Sequence, residues 1–372
     1  MVAPNEPERR VPSRRLWVHD IESSRQFRSP MNHQLAIHAE RFGLAMVDPE
    51  EFPIERHKCG RGFRICFRDG ETITDRQLKA RVKALVIPPA WSDVKICVQE
   101  NGHIQAVGRD DKGRLQYRYH DEWVGVRNAI KTERLLRFGR ALPKLRGTVT
   151  HDLRRRKADR RMTAAVATRL IDVAAMRPGH EKYAADGGRG VASLRRQNLR
   201  ISGNVAILKF VGKSAKEHRI EVAEKPLVAS LKKMRQGRGQ RLFRFPGKTK
   251  KQRELTANLL NDYLGEASGA HVSAKDFRTF HGSAEALRYL IEETGEADTP
   301  TKRKRAVAAA MRAVAGLLRN TPTVARSSYV HPAIIAAYEA GELSENLLRG
   351  RRRERLTAPE TGLMRFLEQT AR

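Results

Sequence analysis

Cysteine is scarce: Cys59, Cys66 and Cys97 are the only three in 372 residues. An odd number at these spacings builds neither a disulfide framework nor a four-ligand zinc site, and His57 beside Cys59 has no second pair of ligands near it in the sequence. The three are expected as reduced, partly buried core residues, and no metal site is expected. Long apolar runs are also missing. No window approaches the ~20 apolar residues of a membrane span, so a soluble, cytosolic chain without a membrane partner is expected. Acidic residues are few beside basic ones, 42 against 73.

The resulting formal charge of +31 is spread along the whole chain. Its natural partner is a polyanion, bound by releasing counterions from phosphate and therefore weakened by salt. A basic architectural or ribosomal protein without catalysis would carry the same charge, so composition alone leaves both readings open. The length exceeds what one hydrophobic core usually serves, which is about 250 residues, so two domains with flexible ends are expected.

Residues 1–34 mix Pro, Arg and Ser without periodicity and read as a basic flexible arm, with a short helix from Leu35 to Phe42. Between Gly62 and Arg118 the pattern is strand-like. Phe63–Phe67 and Val94–Val98 alternate, a helix is expected from Asp75 to Ala84, and Asn101-Gly102 and Lys112-Gly113 turn the chain into His103–Val107 and Leu115–Tyr119. From Trp123 the periodicity is helical, with candidates at Trp123–Phe138, Leu153–Met176, Thr256–Gly265, Phe280–Glu293 and Arg305–Leu318. One three-strand region interrupts it, at Leu199–Ile201, Val205–Phe210 and Arg219–Val222. The expectation is an α+β protein: a small N-terminal β-sheet domain over 35–125, a mainly α-helical catalytic domain with a three-stranded β-sheet over 126–345, and a basic tail over 346–372.

Five residues stand in informative contexts: Arg177 in Met176-Arg177-Pro178-Gly179, Lys213 in Phe210-Val211-Gly212-Lys213-Ser214, Arg278 in Lys275-Asp276-Phe277-Arg278-Thr279, Asn320 in Asn320-Thr321-Pro322, and Tyr329 in Arg326-Ser327-Ser328-Tyr329. In this order and spacing the chain resembles the type IB DNA topoisomerases of the compact bacterial and poxviral kind. The resemblance covers roughly residues 55–345.

The chemistry can also be asked of the residues themselves. A tyrosine phenol can hold a phosphate in a reversible ester, and Tyr329, on an expected turn or helix end, is the candidate nucleophile. Attack on a phosphodiester places negative charge on its oxygens, which guanidinium groups stabilise with bidentate hydrogen bonds. Arg177 and Arg278 fit that role; Arg177 precedes a proline, which ends a helix there and places the cation at a helix-to-loop junction. The departing 5′ oxygen needs a proton, and Lys213 in a hairpin turn is the candidate donor. Gly212-Lys213-Ser214 is not the end of a phosphate-binding P-loop, because Ile207 stands where that motif needs glycine and the flanks read strand to strand. No ATP requirement follows.

The resemblance implies more. Lys275, three residues before Arg278 and on the same helical face, fits a second proton donor or phosphate contact, where related tyrosine recombinases carry histidine. Asn320 stands where eukaryotic and viral members carry histidine; it can donate a hydrogen bond to phosphate but cannot carry charge. Ile87–Trp91, Asn101–Asp110 and Gln116–His120 look like the family's N-terminal sheet. On it Gln105, Arg109, Arg114, Gln116, Tyr117, Arg118 and Tyr119 are expected to bind DNA, as are Lys182 and Tyr183 after Arg177. Along the last strand Gln116, Arg118 and His120 face one side and Tyr117 and Tyr119 the other. The implied partner is duplex DNA, clamped by a monomer associated with the bacterial nucleoid. No cofactor is required; a divalent cation would at most stimulate strand release. A tyrosine recombinase is the main rival, disfavoured by Lys275 and by the N-terminal sheet, and a non-catalytic DNA-binding protein is the other.

Overall fold

The computed structural model describes residues 30–179, 188–212, 215–236, 239–247, 249, 251–292 and 299–371, with backbone alone for 30–34. The expected arm over most of 1–34 lies outside them, as do Lys182, Tyr183 and Lys213. Two compact units divide the chain, Met1–Ile130 and Lys131–Arg372.

In the first unit, helix α1 (Pro30–Arg41) precedes an antiparallel sheet of β1 (Ile54–Cys59), β2 (Gly62–Phe67), β3 (Ser92–Ile96), β4 (Ile104–Arg109) and β5 (Leu115–Tyr119), ordered β2-β1-β3-β4-β5. Helix α2 (Arg76–Ala84) begins where Asp75 caps it, its carboxylate accepting from the backbone N–H of Gln77 at 2.7 Å. Ile54, Ile73, Val82, Val94, Ile96 and Ala106 form the core. Strand β1 was not expected from the pattern, because Ile54 is its single buried apolar residue; it is recruited by pairing with β2 on one side and β3 on the other. Cys66 and Cys97 are buried, whereas Cys59 at the end of β1 is exposed.

The second unit is mainly helical, with a three-stranded sheet and a two-stranded hairpin, so the α+β expectation holds. Helix α3 (Trp123–Leu153) runs far beyond the expected Phe138 and carries the chain across the unit boundary. It then breaks, and α4 (Arg160–Ala174) starts afresh where the Asp159 carboxylate accepts from the N–H of Met162 at 2.9 Å. Helical periodicity alone had merged Leu153–Met176 into one element. Strands β6 (Leu199–Ser202), β7 (Val205–Val211) and β8 (Glu217–Val222) pair in sequence order, with Val211 opposite Glu217 across the hairpin. Helix α5 (Lys225–Gln236) and the short hairpin β9 (Arg244–Pro246) and β10 (Gln252–Glu254) follow, none of them expected. Then come α6 (Ala257–Ser268), α7 (Ala274–Glu292), α8 (Pro300–Leu318), α9 (Pro332–Ala340) and α10 (Ala358–Thr370).

Helix α10 corrects the expected tail over 346–372. The arginines at 349 and 351–353 suggested a solvated segment, but Leu363, Met364, Phe366 and Leu367 belong to the main core of this unit. A side chain at Gly139 of α3 would lie 2.1 Å from the Met364 sulfur, so α3 and α10 meet where glycine removes the obstacle. Thr357 and Glu360 form a capping box that starts α10. No helix among the described residues is long and apolar enough to cross a membrane.

Candidate active site

Two helix C-termini converge on one cluster of arginines. Helix α4 ends at Ala175 in the left-handed region, and Met176-Arg177-Pro178 leaves as a loop, as the proline dictates. Helix α8 ends at Arg319, itself left-handed with φ +53°. From α7, Arg278 donates to the carbonyl of Ala175 and, at 2.9 Å, to that of Leu318. Arg319 donates to the Ala174 carbonyl at 2.8 Å. The negative ends of α4 and α8 thus hold two guanidiniums that would otherwise repel each other. Arg278 is 3% exposed, and its burial lowers its pKa, but arginine stays charged.

Tyr329 closes this cluster. Its chain segment, Ala325–Tyr329, is a single π-helical turn in which the N–H of Val330 reaches back to the Ala325 carbonyl at 3.0 Å. That turn is fastened to α7. Ser283 donates to the Tyr329 carbonyl at 3.1 Å and accepts from the N–H of His331 at 3.1 Å, and Lys131 donates to the Val330 carbonyl at 2.6 Å. Gly282 makes the approach possible, since a side chain there would stand 3.3 Å from the tyrosine Cβ and 3.0 Å from Leu318. The half-buried Tyr329 ring lies with the Arg278 guanidinium 4.8 Å from its centroid. Burial pushes the phenol pKa up, but the charges and hydrogen bonds of Arg278 and Arg177 outweigh it, so the pKa lies below the usual tyrosine value.

Asn320 accepts a hydrogen bond from Arg177 on its side-chain oxygen, while its buried Nδ2 has no partner among the described residues. A buried amide donor left open next to Arg177 suits an oxygen arriving with a substrate. Lys275 sits in the first turn of α7 and is exposed, whereas Arg278 one turn later is buried. Lys213 falls outside the described residues; the strands on either side of it, β7 and β8, pair antiparallel up to Val211 and Glu217.

Three basic residues at this site escaped the sequence reading. His218 of β8 and Arg319, together with Arg189, line a small cleft shared with Arg177. Burial, then the charges of Arg319, Arg177, Arg278 and Lys216, hold the His218 pKa below its ordinary value, which keeps its ring neutral. The register gave one available signal: His218 pairs with Phe210 across the hairpin that leads to Lys213. Arg319 gave none, because only the folded end of α8 turns it inward.

On the N-terminal sheet the expected DNA-binding residues separate. Gln105 is 3% exposed and used internally: it donates to the carbonyls of Gln99, Glu100 and Gly102 and accepts from Arg81 at 2.6 Å. It holds the β3–β4 connection and is not presented to a partner. Arg109 and Arg114 are exposed, but they reach the Gly113 carbonyl and Asp110 respectively, and Gln116 also donates to Asp110. Arg118 donates to the Leu85 carbonyl at 3.1 Å. Tyr117 and Tyr119 share a face and stack at 5.8 Å; Tyr119 stacks again on Trp123, leaving Tyr117, 42% exposed, as the more available ring.

Residues 120–347 match the family described as eukaryotic DNA topoisomerase I, catalytic core, and residues 62–110 match the bacterial DNA topoisomerase IB N-terminal domain. The chain is 30% identical over 295 residues to DNA topoisomerase 1B of Acanthamoeba polyphaga mimivirus, covering 77% of this chain and 87% of the viral protein. It is also 22% identical over 231 residues to DNA topoisomerase 1B of vaccinia virus (strain Western Reserve), covering 62% of this chain and 70% of that protein. A tyrosine-bearing turn set among arginines lies within the matched catalytic core, and these matches define the class: the chain belongs to the type IB DNA topoisomerases.

Proposed function

We propose that this enzyme relaxes positive and negative supercoils by cutting one strand of duplex DNA through a 3′-phosphotyrosyl bond at Tyr329 and then resealing it, without ATP. The observation that carries this reading is the Arg278 guanidinium against the Tyr329 ring, with the phenol pKa brought down by Arg278 and Arg177. The Tyr329 phenol, its pKa lowered by Arg278 and Arg177, gives up its proton to solvent and its oxygen attacks phosphorus; the bond to the 5′ oxygen breaks, and Lys213 gives that oxygen its proton. Arg177, Arg278 and the Nδ2 of Asn320 stabilise the charge on the non-bridging oxygens. Lys275, exposed at the start of α7, serves as a phosphate contact or second proton donor. Religation reverses each step, because the phosphotyrosyl ester retains the energy of the broken bond. Swivelling of the free 5′ strand in between releases torsion.

Duplex DNA is the proposed partner, held by a monomer whose two units act as a clamp; Arg109, Arg114, Gln116, Tyr117 and Arg118 supply contacts from the first unit, and Lys182 and Tyr183 from the second. The proposed location is the bacterial cytoplasm, at the nucleoid. A divalent cation would stimulate without being required. The test is relaxation of positively and negatively supercoiled plasmid in EDTA without ATP, with detergent trapping of adducts. Relaxation of both by the wild type, with adduct lost in Tyr329→Phe, is expected. Binding without relaxation, or an adduct surviving in Tyr329→Phe, overturns the reading.

A further inference from the structure

Behind the arginine cluster lies a second set of charges that the proposed chemistry does not use. Arg146 of α3 forks between two carboxylates. It donates to Asp172 of α4 at 2.9 and 2.8 Å and to Glu360 of α10 at 2.8 and 2.7 Å. His281 of α7 lies between the same two carboxylates, its Nε2 3.2 Å from Asp172 and its Nδ1 3.3 Å from Glu360. All four side chains are largely shielded, with Asp172 7% and Glu360 5% exposed. One buried quartet therefore joins four helices.

Its position gives it a consequence for the reaction. His281 follows Arg278 by three residues on α7, the spacing that places both on neighbouring turns of one helix face. Asp172 lies in the last turn of α4, three residues before Ala175, whose carbonyl accepts from Arg278. The end of α4 is thus pinned on one side by Arg278 and Arg319 and on the other by Arg146 and His281. We propose that His281 is a positioning residue, and that with Arg146, Asp172 and Glu360 it fixes α4 and α7 so that Arg278 meets Tyr329 and the phosphate. Helix α10 supplies Glu360 to this quartet, although it lies outside the family core matched over 120–347. This rests on the reading of Arg278 as a phosphate-stabilising residue.

Protonation supports the geometry. Burial opposes a charge on His281, but the two carboxylates push its pKa up to about 9. The groups facing it are Arg146 from α3, Asp172 and Arg169 from α4, Glu360 from α10 and Glu285 on its own helix. The raised value means that the link is complete below the ordinary histidine range and is lost as pH rises through about 9.

The experiment is a cycle of His281→Gln and Arg278→Ala, read as the rate of detergent-trapped adduct formation on supercoiled plasmid, beside DNA affinity and thermal melting. Glu360→Gln is the companion variant, since it removes charge but keeps an acceptor for the Thr357 N–H that starts α10. In the folded variants, adduct formation is expected to slow by about tenfold to a hundredfold, the scale of a small misplacement of a reacting group, with affinity unchanged. In the Arg278→Ala background, His281→Gln should add nothing. The wild-type fall in rate above about pH 9 should be missing in His281→Gln. A loss that multiplies in full onto Arg278→Ala, or a rate that does not change, overturns the proposal, as does loss of the fold in both variants. An Arg278→Ala enzyme as fast as wild type would instead overturn the role given to Arg278.

Discussion

The second unit holds two charge clusters built from similar groups on opposite principles. In the quartet, two cations meet two carboxylates and the sum is neutral. Around Tyr329, Arg177, Arg278 and Arg319 meet no carboxylate within ion-pair distance among the described residues; backbone carbonyls and the Asn320 amide hold them instead. Carbonyl dipoles can orient a guanidinium but cannot cancel its charge, so the positive field stays available to an incoming anion. A carboxylate there would compete with the DNA phosphate. Balanced charge serves the fold, and unbalanced charge held by helix ends serves an anionic substrate.

Several substitutions test this contrast. Tyr329→Phe leaves both clusters intact and should cut relaxation by about 10^4-fold or more, the scale of removing a nucleophile, with no adduct on a denaturing gel. Arg278→Ala should slow adduct formation by about 10^2- to 10^3-fold, as for a lost transition-state donor. It should also return the phenol towards its ordinary pKa, so the rise of cleavage rate with pH moves to higher pH than in wild type. A pH–rate profile of cleavage checks that sign.

Stability should respond in the opposite order. Asp172→Asn breaks a buried pair and should cost about 3 kcal/mol, whereas Arg177→Ala should change stability by less than about 1 kcal/mol while slowing cleavage. Denaturant melts of the two variants would erase the contrast if Arg177→Ala proved the more destabilising. The smallest effect is expected from Arg319→Gly. Glycine relieves the left-handed strain at φ +53°, worth about 1 kcal/mol, offset by loss of the hydrogen bond to Ala174. Stability should barely move, while the salt dependence of DNA binding becomes shallower as one cation leaves.

Much of the fold was legible locally. Strands β2 to β8 and helices α2, α3 and α6 to α8 announced themselves by periodicity or by caps such as Asp75, although several ran longer than expected. Strand β1 was hidden because a central position demands pairing but not a repeating apolar pattern. Helix α10 was hidden by the arginines before it, which outweighed an apolar face that packs into the core of this unit, in part against Gly139. Gln105 was expected as a DNA contact because it stands in the family's N-terminal sheet signature; in the folded unit its amide holds the β3–β4 connection.

The sequence by itself determined the charge, the order of the reactive motifs and the points where helices stop, since proline, capping side chains and net charge act through their near neighbours. Only the tertiary structure decided that α4 and α8 end against each other, that Arg319 joins Arg177 and Arg278 there, and that His281 becomes a buried cation. Those outcomes depend on residues far apart in the chain arriving at one place, where helix dipoles, burial and opposite charges act over a few ångströms of space that sequence spacing does not encode.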